Sequence, residues 1–120
     1  MTSRATLGVV AINCVPMATN QGFKSMICGS SVTAPFMVLY VQNNQDEILS
    51  RASGTTFMEI NGRNFKAMQV VLPPSSVMQE FDAMVQPYFD NIYASERENL
   101  KLAETRDYLL PRLLSGEVAV

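Results

Sequence analysis

The chain contains no histidine. A Ser-His-Asp or Cys-His catalytic device therefore cannot be built from this chain alone, nor can a His-containing zinc site. Cysteine is scarce: Cys14 and Cys28 lie too far apart for a Cys-x-x-Cys motif. Both sit among apolar and small residues, which predicts reduced core thiols, with a disulfide as the alternative. Charge is nearly missing from the first part, where residues 1–45 carry only Arg4 and Lys24. The net charge of −2 argues against nonspecific electrostatic capture of nucleic acid, while leaving room for a local patch. No apolar run approaches the ~20 residues a membrane span needs. The N-terminus, MTSRATLGVVAINC, lacks a charged region followed by a proper apolar segment, so it does not read as a signal peptide. The expectation is a cytoplasmic protein without membrane contact. Asp46, Glu47 and Glu59 lack the spacing and supporting ligands of a metal or acid–base site and read as solvated charges. No catalytic group, metal or cofactor is expected.

What is present is apolar bulk: 48% of the residues, enough for one packed domain in a chain of 120. Eight methionines suit adaptable packing. TLGVVAINCV predicts a strand at about 6–13, and Phe23–Cys28 a second after a loop punctuated by Pro16, Asn20 and Gly22. A helix follows, capped by Ser31 or Thr33 with Pro35 in its first turn. Phe36, Leu39, Tyr40 and Ile48 lie near one face, and Gly54 is the stop. TTFMEI reads as a strand, NGRNFKAM as a turn with a short helical turn, and QVVLPP as a strand ended by two prolines.

The last third differs in kind. Residues 96–107 carry seven charged side chains. From a cap at Ser75 or Ser76, with Gln79 near the capping-box position, a helix is predicted over 76–110, roughly 50 Å long at 1.5 Å per residue. Phe81, Val85, Tyr88, Ile92, Ser95, Asn99, Leu102, Arg106, Leu109 and Leu113 follow the four-and-three spacing of a heptad seam. The seam is apolar at both ends and polar in the middle, where Ser95 and Asn99 can set register. Pro87 predicts a kink near Ala83–Pro87 or a later start, and Pro111 an end or bend just after Leu110. Ile92, Leu100, Leu102, Leu109, Leu110, Leu113 and Leu114 leave this helix with apolar surface that wants a partner helix.

Four stretches, in order, resemble the DNA-specificity subunit of type I restriction-modification systems. SRATLGVVAI (3–12) resembles that family's Ser-Arg-Ala-Thr strand, and ATNQGFKSM (18–26) its Thr-Asn-Gln-Gly-Phe loop. ASGTTFMEINGRNFKAMQVVLPP (52–74) resembles its Ser-Gly-Thr-Thr-Phe segment with the Leu-Pro-Pro before the helix, and LAETRDYLLPRLLSGEV (102–118) the end of that helix. The family typically has two target-recognition domains and two helical regions in tandem, whereas this chain matches one helix and the C-terminal part of one recognition domain. It thus resembles a truncated gene, a naturally short half-subunit or an excised segment. The resemblance implies an α+β fold: a small mixed recognition domain over 1–74, incomplete, then a long projecting C-terminal coiled-coil helix over 75–120. It implies a non-catalytic role in which the chain recognises DNA and docks the methyltransferase subunit and, through it, the restriction subunit. The family's two helical regions pair antiparallel, so residues 77–110 are expected to set domain spacing. A single helix can pair with a second copy, giving a homodimer with twofold symmetry. The alternative is a helix-mediated dimerisation or scaffold remnant that no longer reads DNA.

The candidate DNA-binding residues are Arg4, Thr19, Asn20, Gln21, Gly22, Lys24, Ser53, Gly54 and Thr55. Asn and Gln can read adenine edges, yet a Thr-Asn-Gln-Gly turn serves as readily to satisfy its own backbone. Arg4 and Lys24 can meet phosphate, with Arg51 and Arg63 as weaker candidates, and Ser53–Thr56 can offer hydroxyls and N–H groups or form a helix stop. The candidate helix-interface residues are Phe81, Val85, Tyr88, Ile92, Asn99, Leu102, Leu109 and Leu113, with Leu109–Leu114 as a methyltransferase contact. There is no Gly-rich phosphate loop and no Asn-Pro-Pro-Tyr-like methyltransferase motif.

Overall fold

A computed structural model describes residues 1–118. The last two positions of the expected 75–120 region lie outside the described residues. Among the described residues four helices appear in order: α1 over Ala34–Asn43, α2 over Gln45–Ser50, α3 over Gly62–Lys66 and α4 over Ser75–Leu114. The chain divides into two compact units, Met1–Asp82 and Ala83–Val120.

The expected α+β fold is not what forms. Among the described residues there is no sheet, only three isolated antiparallel bridges: Thr2–Phe23, Arg4–Glu59 and Ser53–Glu59. The physical reason is pairing. Strand-prone residues make a strand only where a neighbouring backbone completes the ladder and a face is buried. No backbone–backbone hydrogen bond runs to or from residues 10–19, and residues 11–20 are all exposed. The expected strand at 6–13 is a turn followed by irregular chain, and the one at 23–28 contributes a single bridge at Phe23. The 55–60 strand reduces to Glu59, and 69–74 forms no bridge among the described residues.

The helices follow the sequence more closely. Thr33 caps α1, its hydroxyl accepting from the Phe36 N–H, and Pro35 sits in the first turn. The expected single helix is two, because Asn44 leaves helical geometry at φ −115° and ψ 30° and turns its side chain back to the Tyr40 carbonyl at 2.7 Å. α2 ends at Ser50, with Arg51 as its C-cap, rather than at Gly54. Asn61 caps α3. A small core of Met1, Val41, Ile48 and Ile60 gathers Leu7, Val10, Met26, Tyr40, Ala52, Phe65 and Met68 around it. Neither cysteine belongs to this core: both are free, Cys14 exposed and Cys28 half-buried.

α4 runs forty residues without interruption through Pro87 and Pro111. Its first bond joins the Met78 N–H to the Pro74 carbonyl, so Pro74 rather than a serine holds the cap position. Pro111 does not end it; the helix continues to Leu114, and the Ser115 N–H bonds back to the Pro111 carbonyl. Each proline removes one helical donor, and neither stops the chain from continuing as a helix.

Candidate nucleic-acid interface

Three of the motif segments meet at the first residues of the chain. The Ser3 N–H donates to the Gly22 carbonyl (2.8 Å), and the Lys24 N–H to the Met1 carbonyl (2.8 Å). On the other side, the Ala5 N–H donates to the Met58 carbonyl (3.1 Å) and the Ile60 N–H to the Ser3 carbonyl (3.0 Å). Residues 1–5 are thus laced between the Thr-Asn-Gln-Gly-Phe loop and the Ser-Gly-Thr-Thr-Phe segment.

Most candidate residues are engaged by their own fold. Asn20 accepts from the Gly22 N–H at 2.9 Å, and its carbonyl accepts from Phe23, closing an Asx-type turn. Lys24 is half-buried, and its ammonium donates to the Ser3 hydroxyl (3.0 Å) and the Gln21 carbonyl (3.4 Å). Ser3 is fully buried, so this lysine supplies the partner a buried hydroxyl requires. Arg4 lies 3.9 Å from the Glu59 carboxylate, and Arg51 pairs with Glu47 through two nitrogens at 2.8 and 2.9 Å. Thr19, Gln21, Ser53, Gly54 and Thr55 are exposed. Ser53 exchanges both backbone bonds with Glu59 at 2.9 Å, closing a narrow loop. Gly54 enters that loop at φ 141°, and a Cβ there would collide with the Phe57 carbonyl, so the position needs glycine. Among the titrating groups, burial and Glu47 push the Tyr40 phenol above its ordinary range, against a pull from Arg51. Its hydroxyl donates to the Gln69 carbonyl at 3.0 Å.

The helix residues divide by unit. In the first unit Phe81 packs edge-on against Phe36, with ring centroids 5.8 Å apart, and Asp82 accepts from the Thr33 hydroxyl at 2.7 Å. In the second, Val85 is half-buried, whereas Tyr88, Ile92, Asn99, Leu102, Leu109 and Leu113 are all exposed. Arg112 stacks over Tyr108 at 3.9 Å, and Arg97 lies 5.8 Å from Tyr93.

Sequence reasoning missed the Lys24–Ser3 contact, which no local spacing announces. It also missed Gln45, which reaches the Gly8 carbonyl at 2.9 Å, and Asn64, whose amide ties α3 to the Arg51 carbonyl at 2.8 Å. Asn61, by contrast, carried a readable cap signal just before α3.

Residues 1–104 match the family described as the type I restriction modification DNA specificity domain. The type I restriction enzyme HindI specificity subunit of Haemophilus influenzae is 31% identical over 117 residues, covering 95% of this chain and 26% of that protein. The MjaIX specificity subunit of Methanocaldococcus jannaschii is 32% identical over 74 residues, 62% of this chain and 17% of that protein. The chain thus spans about a quarter or less of these relatives' length. No solved structure matches. With the family match running through all three laced segments and most of α4, the chain belongs to the type I restriction modification DNA specificity family.

Proposed function

We propose that this chain is a non-catalytic DNA-specificity component of a cytoplasmic type I restriction-modification system. In this reading residues 1–74 are part of a target-recognition domain and 75–120 a helical region. The helix pairs with a second copy as a coiled coil and docks a methyltransferase subunit, through which the restriction subunit is reached. The observation that carries the reading is the exposed heptad stripe of α4: Ile92 is 57% and Leu102 59% exposed, on a helix that continues through both of its interior prolines. Covering one such side chain is worth about 1.5–3 kcal/mol, so a partner helix stabilises the pair substantially. Leu110 and Leu114 lie off that seam and are also exposed, which supports a second protein contact at the C-terminal end.

One observation favours a scaffold without DNA reading. Residues 1–82 carry five cations and five carboxylates, and several of the cations are paired or internally bonded. Co-purification with the methyltransferase subunit of the same genome, followed by a methylation assay on genomic DNA, separates the two. The specificity reading predicts a complex that methylates at a defined site. A complex that forms but methylates nowhere establishes the scaffold, and no complex at all refutes both.

A further inference from the structure

Five cations lie in the first unit, and the structure treats them unequally. Arg4 and Arg51 face carboxylates, and Lys24 is consumed by Ser3 and Gln21. Among the described residues, neither Arg63 nor Lys66 makes a salt bridge with any carboxylate, and both are exposed. An arginine already held by a carboxylate must give up that partner to take a phosphate, whereas these two need not.

Their placement is also fixed. They stand three residues apart on α3, which makes them neighbours on one face of the turn. The opposite face is anchored: Phe65 packs against the core, and Asn64 is half-buried and bonded to the Arg51 carbonyl. Asn61 holds the start of the turn through the Asn64 N–H at 2.8 Å. Beside them the backbone is open, since a Cβ added at Gly62 would meet nothing within 4 Å. Lys66 also lines an apolar hollow of about 210 Å³ with Met37, Tyr40 and Met68, where its stem can lie while its charge stays in water.

We propose that Arg63 and Lys66 of α3 form a phosphate-contacting site for the backbone of duplex DNA. The proposal rests on the DNA-specificity reading above and assigns its electrostatic contact to α3 rather than to Arg4 or Lys24. Such contacts position the duplex without reading sequence. Each phosphate neutralised adds about 0.9 to the slope of log affinity against log salt.

The test is fluorescence anisotropy of labelled duplex DNA, in several unrelated sequences, with the full chain over a salt series. The double variant Arg63→Ala, Lys66→Ala is expected to bind all sequences more weakly by a similar factor and to flatten the salt slope by about 2. Its thermal unfolding should change little, because both charged groups are exposed and only the Lys66 stem packs, and Lys101→Ala should keep the original slope. An unchanged slope in the double variant overturns this site and leaves the DNA reading standing. No binding of any duplex by the unaltered chain, or binding of duplex RNA alone, overturns the DNA reading and this site with it.

Discussion

In the first unit Val41 is 1% exposed, and Ile48 and Ile60 are fully buried; in the second, Ile92, Leu100, Leu102 and Leu114 are 57, 65, 59 and 80% exposed. The first unit also uses its polar side chains inwardly. Gln45 holds Gly8, Asn64 holds Arg51 and Lys24 holds Ser3. Among the described residues, the second unit's side-chain ties are local: Gln86 to Asp90, Thr105 to the Lys101 carbonyl, Arg106 to its neighbour Asp107, Arg112 to Tyr108 and Glu117, and Ser115 to the Arg112 carbonyl. Pairs of this kind are worth about 0.2–0.5 kcal/mol each. One interior proline costs about 3 kcal/mol, and α4 has two. Side-chain ties of this size therefore fall short of the two proline penalties, and in the pairing proposed above the exposed leucines of α4 would be buried against another helix. The difference teaches that one unit buries its apolar side chains within itself, while the other leaves them exposed along α4.

The largest expected effect breaks the second half of that comparison. Ile92→Asp with Leu102→Asp should abolish self-association and lower the helix signal in circular dichroism. If both mass and helicity stay as they were, the stripe is not an interface. Ile60→Ala should act on the first unit instead, costing about 3 kcal/mol by chemical denaturation while leaving self-association intact. Loss of both together would mean that the units are not independent in stability. A smaller effect is expected from Asn20→Ala, about 1 kcal/mol through the lost Asx turn. DNA preference should not change; altered site choice at unchanged stability would make Asn20 a base reader.

The α-helical half of this molecule was legible in the sequence and the extended half was not. Thr33 and Pro35 act locally, within one turn of their own position, so the cap and the first-turn proline could be read directly. The heptad spacing likewise revealed α4. Val10, Ile12 and Val15 look like a strand, but a strand depends on a second backbone that local pattern cannot supply, and among the described residues none pairs with them. Of the two outcomes Pro111 predicts, an end or a bend, the end does not occur. The penalty is local and readable, but the surrounding helix tolerates it and runs on to Leu114. The motif stretches pointed to the right loops, yet the partners of Lys24 and Arg4 lie 21 and 55 positions away in sequence.

An effect of similar size depends on pH. Because the Tyr40 phenol titrates above its ordinary value of 10.0 in the folded chain, the native state holds its proton longer than the unfolded state. Its contribution is fully present below pH 10 and fades as pH rises through the raised value. Tyr40→Phe should cost about 1 kcal/mol at neutral pH, from the lost bond to the Gln69 carbonyl, and the deficit should shrink above pH 10. A deficit independent of pH would detach that phenol from the fold's stability.

The measurement that bears most directly on the central claim is the solution mass of the unaltered chain by light scattering across a concentration series. The exposed stripe of α4 predicts a species of twice the 13.3 kDa chain mass that dissociates on dilution with loss of helicity. A 13.3 kDa species at every concentration, with α4 still helical, would contradict it.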